Sequence, residues 1–555
     1  MKTLAPSDYI VFLCYFIIIA GYGLWIYYRK KSKELNTKDY FLAEGSLTWW
    51  AIGASLIASN ISAEQFIGMS GDGFKLGLAI AAYEWLAAAT LIIVAVFFIP
   101  VYLKNKIYTM PQFLNQRYNG TVSTIMAVFW LLLYVVVNLT SILYLGALAV
   151  SAISSINFTV CMYGIAIFAI FITLGGMKVI GYTDVIQVLV LILGGLATTY
   201  LALNMVSDHF GATGVLNGLG LLHEKAPSHF DMIFDKTQEH YISLPGLSIL
   251  IGGMWIVNLN YWGCNQYITQ RALGADLKTA RNGILFAAFL KMLMPIIVVL
   301  PGIAAFVLYR EGFFQQEMLE GDAVRPDKAY PVLLNLLPTG LKGLAFAALT
   351  AAVVASLAGK SNSIATIFSL DIYKKIFNKE ASERKLVNTG KITIVVTMIL
   401  AVIIAPHLGI EKGGFQYIQE YTGFVSPGIF AMFILGFFWR KATSNAALFA
   451  TIGGFVLSVV LKFLPEWVDL SALYSIGFAV PNAAGIYEIP FIDRMGIVFL
   501  FCILGMFIIS VYENKQGVVP KGLIVDRSMF KVHPGFLVGT LIIVGLLVAI
   551  YTVFW

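Results

Sequence analysis

The sequence predicts an all-α membrane protein built of fourteen transmembrane helices. Three observations carry that prediction. Of 555 residues, 59% are apolar and only 12% charged, about half the ~25% of an ordinary soluble chain. The mean hydropathy is +0.82. The apolar residues also run on for about 20 positions at a time, the length that crosses a bilayer as a helix. Strands of a membrane barrel would alternate instead. The same composition excludes a disordered chain, a small secreted disulfide scaffold and a nucleic-acid-binding domain.

The first run, 8–28, ends at Arg29-Lys30-Lys31 with no small-residue cleavage site, so it reads as a retained span. Runs at 47–73, 78–102, 122–150, 157–177 and 184–205 follow, each bounded by charge or turn residues. After the polar stretch 206–243 come 244–270, 283–309, 339–373, 387–409 and 415–438, and then 443–463, 491–512 and 534–555. If the segments alternate from an outside N-terminus, 24 of the 37 Lys and Arg residues lie in inside segments or at the span edges beside them and 11 at outside ones; Lys291 and Lys360 fall deep within spans. This positive-inside bias predicts a multi-pass protein of the cell membrane with both ends outside. Most of the net charge of +7 is then an orientation signal. Cys14, Cys161, Cys264 and Cys502 all lie in apolar runs without C-x-x-C spacing, and read as buried small hydrophobes.

Two of the runs are interrupted by dense polar clusters, five helices apart. One is Ser59-Asn60-Ile61-Ser62-Ala63-Glu64-Gln65, the other Asn258-Leu259-Asn260-Tyr261-Trp262-Gly263. Broken helices at corresponding positions of two halves mark the substrate site of inverted-repeat transporters. Ionisable groups add to the pattern, because a charge at the bilayer centre costs about 2.5–3.5 kcal/mol even on lenient scales. Glu64, Glu84, Asp184, Lys291 and Lys360 fall in or at the edges of spans. Glu84 and Lys291 either pair as structural glue or face one polar cavity, where a carboxylate and an ammonium suit a polyhydroxylated solute. Asp184 is either a helix-start charge held by the dipole or the acidic lining of an ion path. Tyr417, Gln419, Glu420 and Tyr421 are either interfacial residues or cavity walls. Tyr261, beside Asn258, is placed to stack on the apolar face of a sugar.

The stretch Asn60-Ile61-Ser62-Ala63-Glu64-Gln65-Phe66-Ile67-Gly68-Met69-Ser70-Gly71 resembles the second-helix motif of the sodium:solute symporter family. YEW (83–85), YTDVIQV (182–188), NLNYWGCNQYITQR (258–271), TIFSLDIY (366–373) and FQYIQEYTG (415–423) resemble its sugar-transporting branch. The resemblance runs through all the spans in order. It implies a leucine-transporter-type core of five plus five inverted repeats, 46–205 and 244–438, in a single transmembrane transporter domain. One leading helix with its loop (1–45) precedes the core and three trailing helices (439–555) follow. It implies sodium-coupled symport of a neutral monosaccharide, with sodium as the coupling ion, no other cofactor and no enzymatic activity.

Carried over residue by residue, the resemblance puts sugar hydrogen-bonding groups at Gln65, Glu84, Asn258, Lys291 and Gln419, with Tyr261 as the stacking inner-gate ring. Met69, Tyr83 and Phe415 form the outer lid. Ala58 and Ile61 offer backbone carbonyls to sodium, joined by Ala352, Ala355 and Ser356 of the ninth span. Asp184 matches an acidic residue on the ion's exit route.

Two departures stand out. Ala87 replaces a serine that lies three residues after the cavity glutamate, which leaves the particular sugar open. Ala355-Ser356 replaces a pair of hydroxyls, and Lys360 then appears one helical turn beyond Ser356. Lys360 either lines a vestibule and reaches water, or marks a transporter with weakened sodium coupling or one driven by protons. A symporter of another small polar solute is a further alternative. A membrane-embedded enzyme would need paired carboxylates or a metal cluster at one face. The six histidines show no ligand spacing.

Overall fold

The computed structural model describes residues 4–29, 40–41, 47–62, 64–154, 156–320, 322–407 and 414–555. The basic run expected after the first helix lies, apart from Arg29, outside the described residues, as does Ala63 of the first polar cluster. The chain is mostly helical. Among the described residues, ten helices are long and apolar enough to cross a bilayer, and Phe158–Leu174 and Ser426–Phe438 are shorter apolar helices. The two expected runs at 47–73 and 244–270 are broken into shorter pieces, so length alone does not mark them as spans.

The described chain forms two compact units. The first comprises Met1–Ala81, Ala127–Phe230 and Gln270–Tyr417. Its centre is Leu341–Ile367, whose residues are nearly all buried. Ala, Gly, Ser and Val on every face of this helix leave it no polar side to turn to solvent. Around it pack Pro6–Arg29, Trp49–Asn60, Thr140–Ser154, Phe158–Leu174 and Gly176–His209. A second long helix, Leu277–Arg310, holds both pieces of the first broken run, Trp49–Asn60 and Ser70–Leu76. Small residues permit the approach: a Cβ on Gly53 would stand 2.6 Å from the Gly283 carbonyl oxygen.

The first break falls where the polar cluster predicts it. Trp49–Asn60 ends at an extended Ile61 (φ −79°, ψ 114°), and the chain resumes as a wide π-type turn, Glu64–Met69. Ser70–Leu76 then stops at Gly77, whose φ of +72° suits only glycine, and a short 3-10 turn leads on.

The second unit comprises Ala82–Met126, Asp231–Thr269 and Ile418–Trp555. Gly253–Gly263 packs against Ala82–Ile93, Ser426–Phe438 and Phe491–Lys515. The Tyr102 hydroxyl donates to the Gly263 carbonyl at 2.7 Å and ties down its C-terminal end. Arg117 closes the end of Ser426–Phe438. Its guanidinium donates to the carbonyls of Gly436, Trp439 and Ala442 at 2.7, 2.8 and 3.0 Å. Those carbonyls belong to the last turn and its exit, where a helix leaves acceptors without partners and carries partial negative charge.

The second break differs from the expectation. Asn258 to Gly263 lie inside an intact helix, and the interruptions flank it at Gly252 and at Cys264. The two side-chain amides find acceptors without breaking the helix. Asn258 donates to the Met254 carbonyl one turn back at 3.2 Å, and Asn260 donates to Ser426 Oγ at 3.1 Å. The Gly252-Gly253 pair supplies the break instead, with the backbone at Gly253 pressed against the Ile492 carbonyl.

Candidate functional site

The first break is the densest polar point of the first unit. Ser356, fully buried, projects from Leu341–Ile367 toward the carbonyls that Trp49–Asn60 leaves open at its C-terminus. Its hydroxyl donates to the Ser59 carbonyl at 2.9 Å and stands 3.4 and 3.5 Å from the Ile61 and Ala58 carbonyls. The structure thus brings together three of the five residues assigned to sodium, Ala58, Ile61 and Ser356. Ala352 and Ala355 are buried on the same helix as Ser356. The Ser59 carbonyl is an addition that the sequence did not single out. A hydroxyl oxygen among carbonyl oxygens, with no sulfur or imidazole, suits a hard cation.

Asp184 is 1% exposed and accepts a hydrogen bond from Ser55 Oγ at 2.5 Å. Its helix begins at Gly176, two turns earlier, so the dipole explanation fails: that field fades within the first turn. Lys291 is buried and donates to the Asn60 side chain, at the last residue of the first half-helix. Gln65 turns its side-chain oxygen back on the break, where it accepts from the Ser62 backbone N–H at 3.0 Å and from Ser62 Oγ at 3.3 Å. Met69 and Phe415 are both buried, and a Cβ on Gly68 would lie 2.8 Å from Phe415 Cβ.

Lys360 is 4% exposed, which overturns the expectation that it reaches water. It lies within electrostatic reach of Glu64, whose carboxylate accepts from Ser141 Oγ at 3.2 Å. The charge that the sequence left without an explanation therefore has a counter-charge at the start of the second half-helix.

In the second unit, Tyr83, Glu84 and Asn258 are buried and Gln419 is half-buried. Tyr83 and Glu84 sit on Ala82–Ile93. The Tyr261 hydroxyl is hydrogen-bonded to that of Tyr267, and the two rings meet edge-on with centroids 5.6 Å apart. Glu420 is neither a bare interfacial residue nor a free cavity wall: Lys462 (2.7 Å) and Arg494 both pair with it.

The sequence profile of the sodium:solute symporter family matches residues 40–454. The chain belongs to that family. This symporter is 46% identical to the sodium/glucose cotransporter of Vibrio parahaemolyticus over 99% of its own length and 98% of the relative's. It is 32% identical to the human sodium/myo-inositol cotransporter 2, over 83% of this chain and 70% of that one. Among solved structures, that of a Na+-coupled sialic acid symporter superposes with a TM-score of 0.76. The match covers 94% of this symporter and 100% of that chain at 21% identity, and it shows the shared transporter fold.

Proposed function

We propose that this symporter carries a neutral monosaccharide into the cell together with sodium, by alternating access. The observation that carries the reading is the Ser356 hydroxyl set among the Ala58, Ser59 and Ile61 carbonyls. Family membership and the 46% identity to a sodium/glucose cotransporter support the choice of ion and cargo. The proposed architecture has fourteen spans in a single transmembrane domain. Residues 46–205 and 244–438 are its inverted repeats, 1–45 the leading helix and loop, 439–555 the trailing helices, and both termini lie outside the cell membrane.

Gln65, Glu84, Asn258, Lys291 and Gln419 supply hydrogen bonds to the sugar, and Tyr261 stacks on its apolar face. A carboxylate in this set disfavours an anionic cargo. Met69, Tyr83 and Phe415 form the outer lid, Tyr261 the inner gate. Sodium, held by Ala58, Ile61, Ala352, Ala355 and Ser356, ties the first half-helix to Leu341–Ile367. That stabilises the state which accepts sugar, and the ion later leaves past Asp184. Coupling needs only that ion and sugar favour the same state. One sodium crossing 100 mV yields about 2.3 kcal/mol. A tenfold gradient adds about 1.4 kcal/mol, which together allow roughly 500-fold accumulation.

Uptake of a labelled hexose panel into proteoliposomes, under sodium, potassium or proton gradients, tests both halves of the reading. Saturable, sodium-dependent uptake with counterflow is expected. If no monosaccharide is carried or competes, the sugar assignment fails.

Lys360, buried one turn past Ser356, supports a second reading in which the lysine weakens sodium dependence. The carboxylate of Glu64 within its electrostatic reach favours the first. On the first reading, Lys360→Met removes a buried counter-ion from a partly exposed carboxylate, lowering stability by about 2 kcal/mol, below the range for fully buried pairs. Glu64→Gln in the same chain recovers most of that loss. On the second, the wild type ignores sodium and Lys360→Met restores dependence. Sodium titrations of uptake and melting curves of the single and double variants separate the two.

A further inference from the structure

A buried polar network that joins Asp184 to Arg271 lies one turn behind the ion-site carbonyls, on the same half-helix. Ser55 is gripped from two directions: its hydroxyl donates to Asp184, and it accepts from Arg271 Nε at 2.9 Å. Arg271 has none of its surface exposed. It also lies against the helix that bears Ser356. A Cβ on Gly359 would stand 2.3 Å from Arg271 Nη2 and 3.1 Å from Ser59 Oγ. The Ser59 hydroxyl in turn donates to the Ser55 carbonyl at 2.8 Å, while the Ser59 carbonyl accepts from Ser356. One guanidinium therefore touches both helices that supply the ion ligands, and it shares the Ser55 hydroxyl with the Asp184 carboxylate on a third.

We propose that Arg271 is a tethered cation that closes the ion site on its Asp184 side. The inference rests on the reading of Ser356 and its neighbouring carbonyls as the sodium site. Two cations repel at short range in a low-dielectric interior, so sodium moves toward Asp184 only as the guanidinium swings away. Exchanging one cation for the other keeps the buried carboxylate compensated throughout. A carboxylate left alone there would be strongly disfavoured. Glycine at 359 is part of the device, since any side chain would drive the guanidinium off the helix. Arg271 is thus a positioning residue for ion release.

The test uses the full chain in proteoliposomes and reads two quantities, sodium efflux without sugar and the ratio of sodium to sugar moved. Arg271→Gln keeps a planar donor but loses the charge. It is expected to raise sugar-free efflux about tenfold, a typical coupling magnitude, and to raise the sodium-to-sugar ratio. Arg271→Lys keeps the charge and stays close to the wild type. Gly359→Ala displaces the guanidinium without altering its charge and shifts both quantities the same way as Arg271→Gln, so the test survives if that variant does not fold. A merely structural Arg271 would lower folded protein and uptake together and leave the ratio untouched, and that result overturns the proposal. A wild type whose uptake ignores sodium overturns the ion-site reading beneath it. A sodium-dependent wild type with unchanged ratios in both variants overturns the role of Arg271 alone.

Discussion

Ser356→Ala should raise the sodium concentration needed for half-maximal uptake by one to two orders of magnitude. The hydroxyl is the only side-chain oxygen among the residues assigned to the ion, and it also donates to the Ser59 carbonyl at 2.9 Å. A hydrogen bond or ligand contact to a charge is worth about 1.5–3 kcal/mol, equivalent to roughly 10–150-fold in affinity. The variant leaves a cavity no larger than one oxygen atom, so folding and sugar exchange at saturating sodium should survive. Sodium titration of uptake against the melting temperature in detergent checks the split. An unchanged half-saturating concentration would remove Ser356 from the ion site.

Arg117→Met should cost the most stability of any single exchange considered. Arg117 is 1% exposed, and its three donors meet the Gly436, Trp439 and Ala442 carbonyls. Removing it leaves three acceptors without their donor at the end of Ser426–Phe438, two of them in buried bonds and one part-buried. At about 1.5–3 kcal/mol for each bond to a charged donor, the loss is at least about 4 kcal/mol. Arg117→Lys should recover only part of this, because a point-like ammonium cannot span three acceptors as a planar fork does. Thermal unfolding of purified protein measures both, and a Met variant that melts with the wild type would show the clamp to be dispensable.

Much of this was legible along the chain. The apolar runs foretold where helices lie, and the cluster from Ser59 to Gln65 located the first break. Both follow from local rules of hydropathy and backbone satisfaction that need no knowledge of the rest of the molecule. The second cluster misled for the same reason. Asn258 and Asn260 look like helix breakers in sequence, but Met254 and Ser426 accept their hydrogen bonds, and Ser426 lies 166 residues away. Lys360 misled likewise: a lone lysine in an apolar run suggests a reach for water, and its counter-charge, Glu64, cannot be read from its own helix.

By itself, then, the sequence determined the helical membrane class, the family and the place of the first break. Only the tertiary structure decided which buried charges face each other. Ser55 meets Asp184 from 129 residues away and Arg271 from 216. Helical periodicity states which way a side chain points on its own helix. It says nothing of the partner across the gap, and in a low-dielectric interior that partner decides whether a charge is a ligand, a latch or a structural tie.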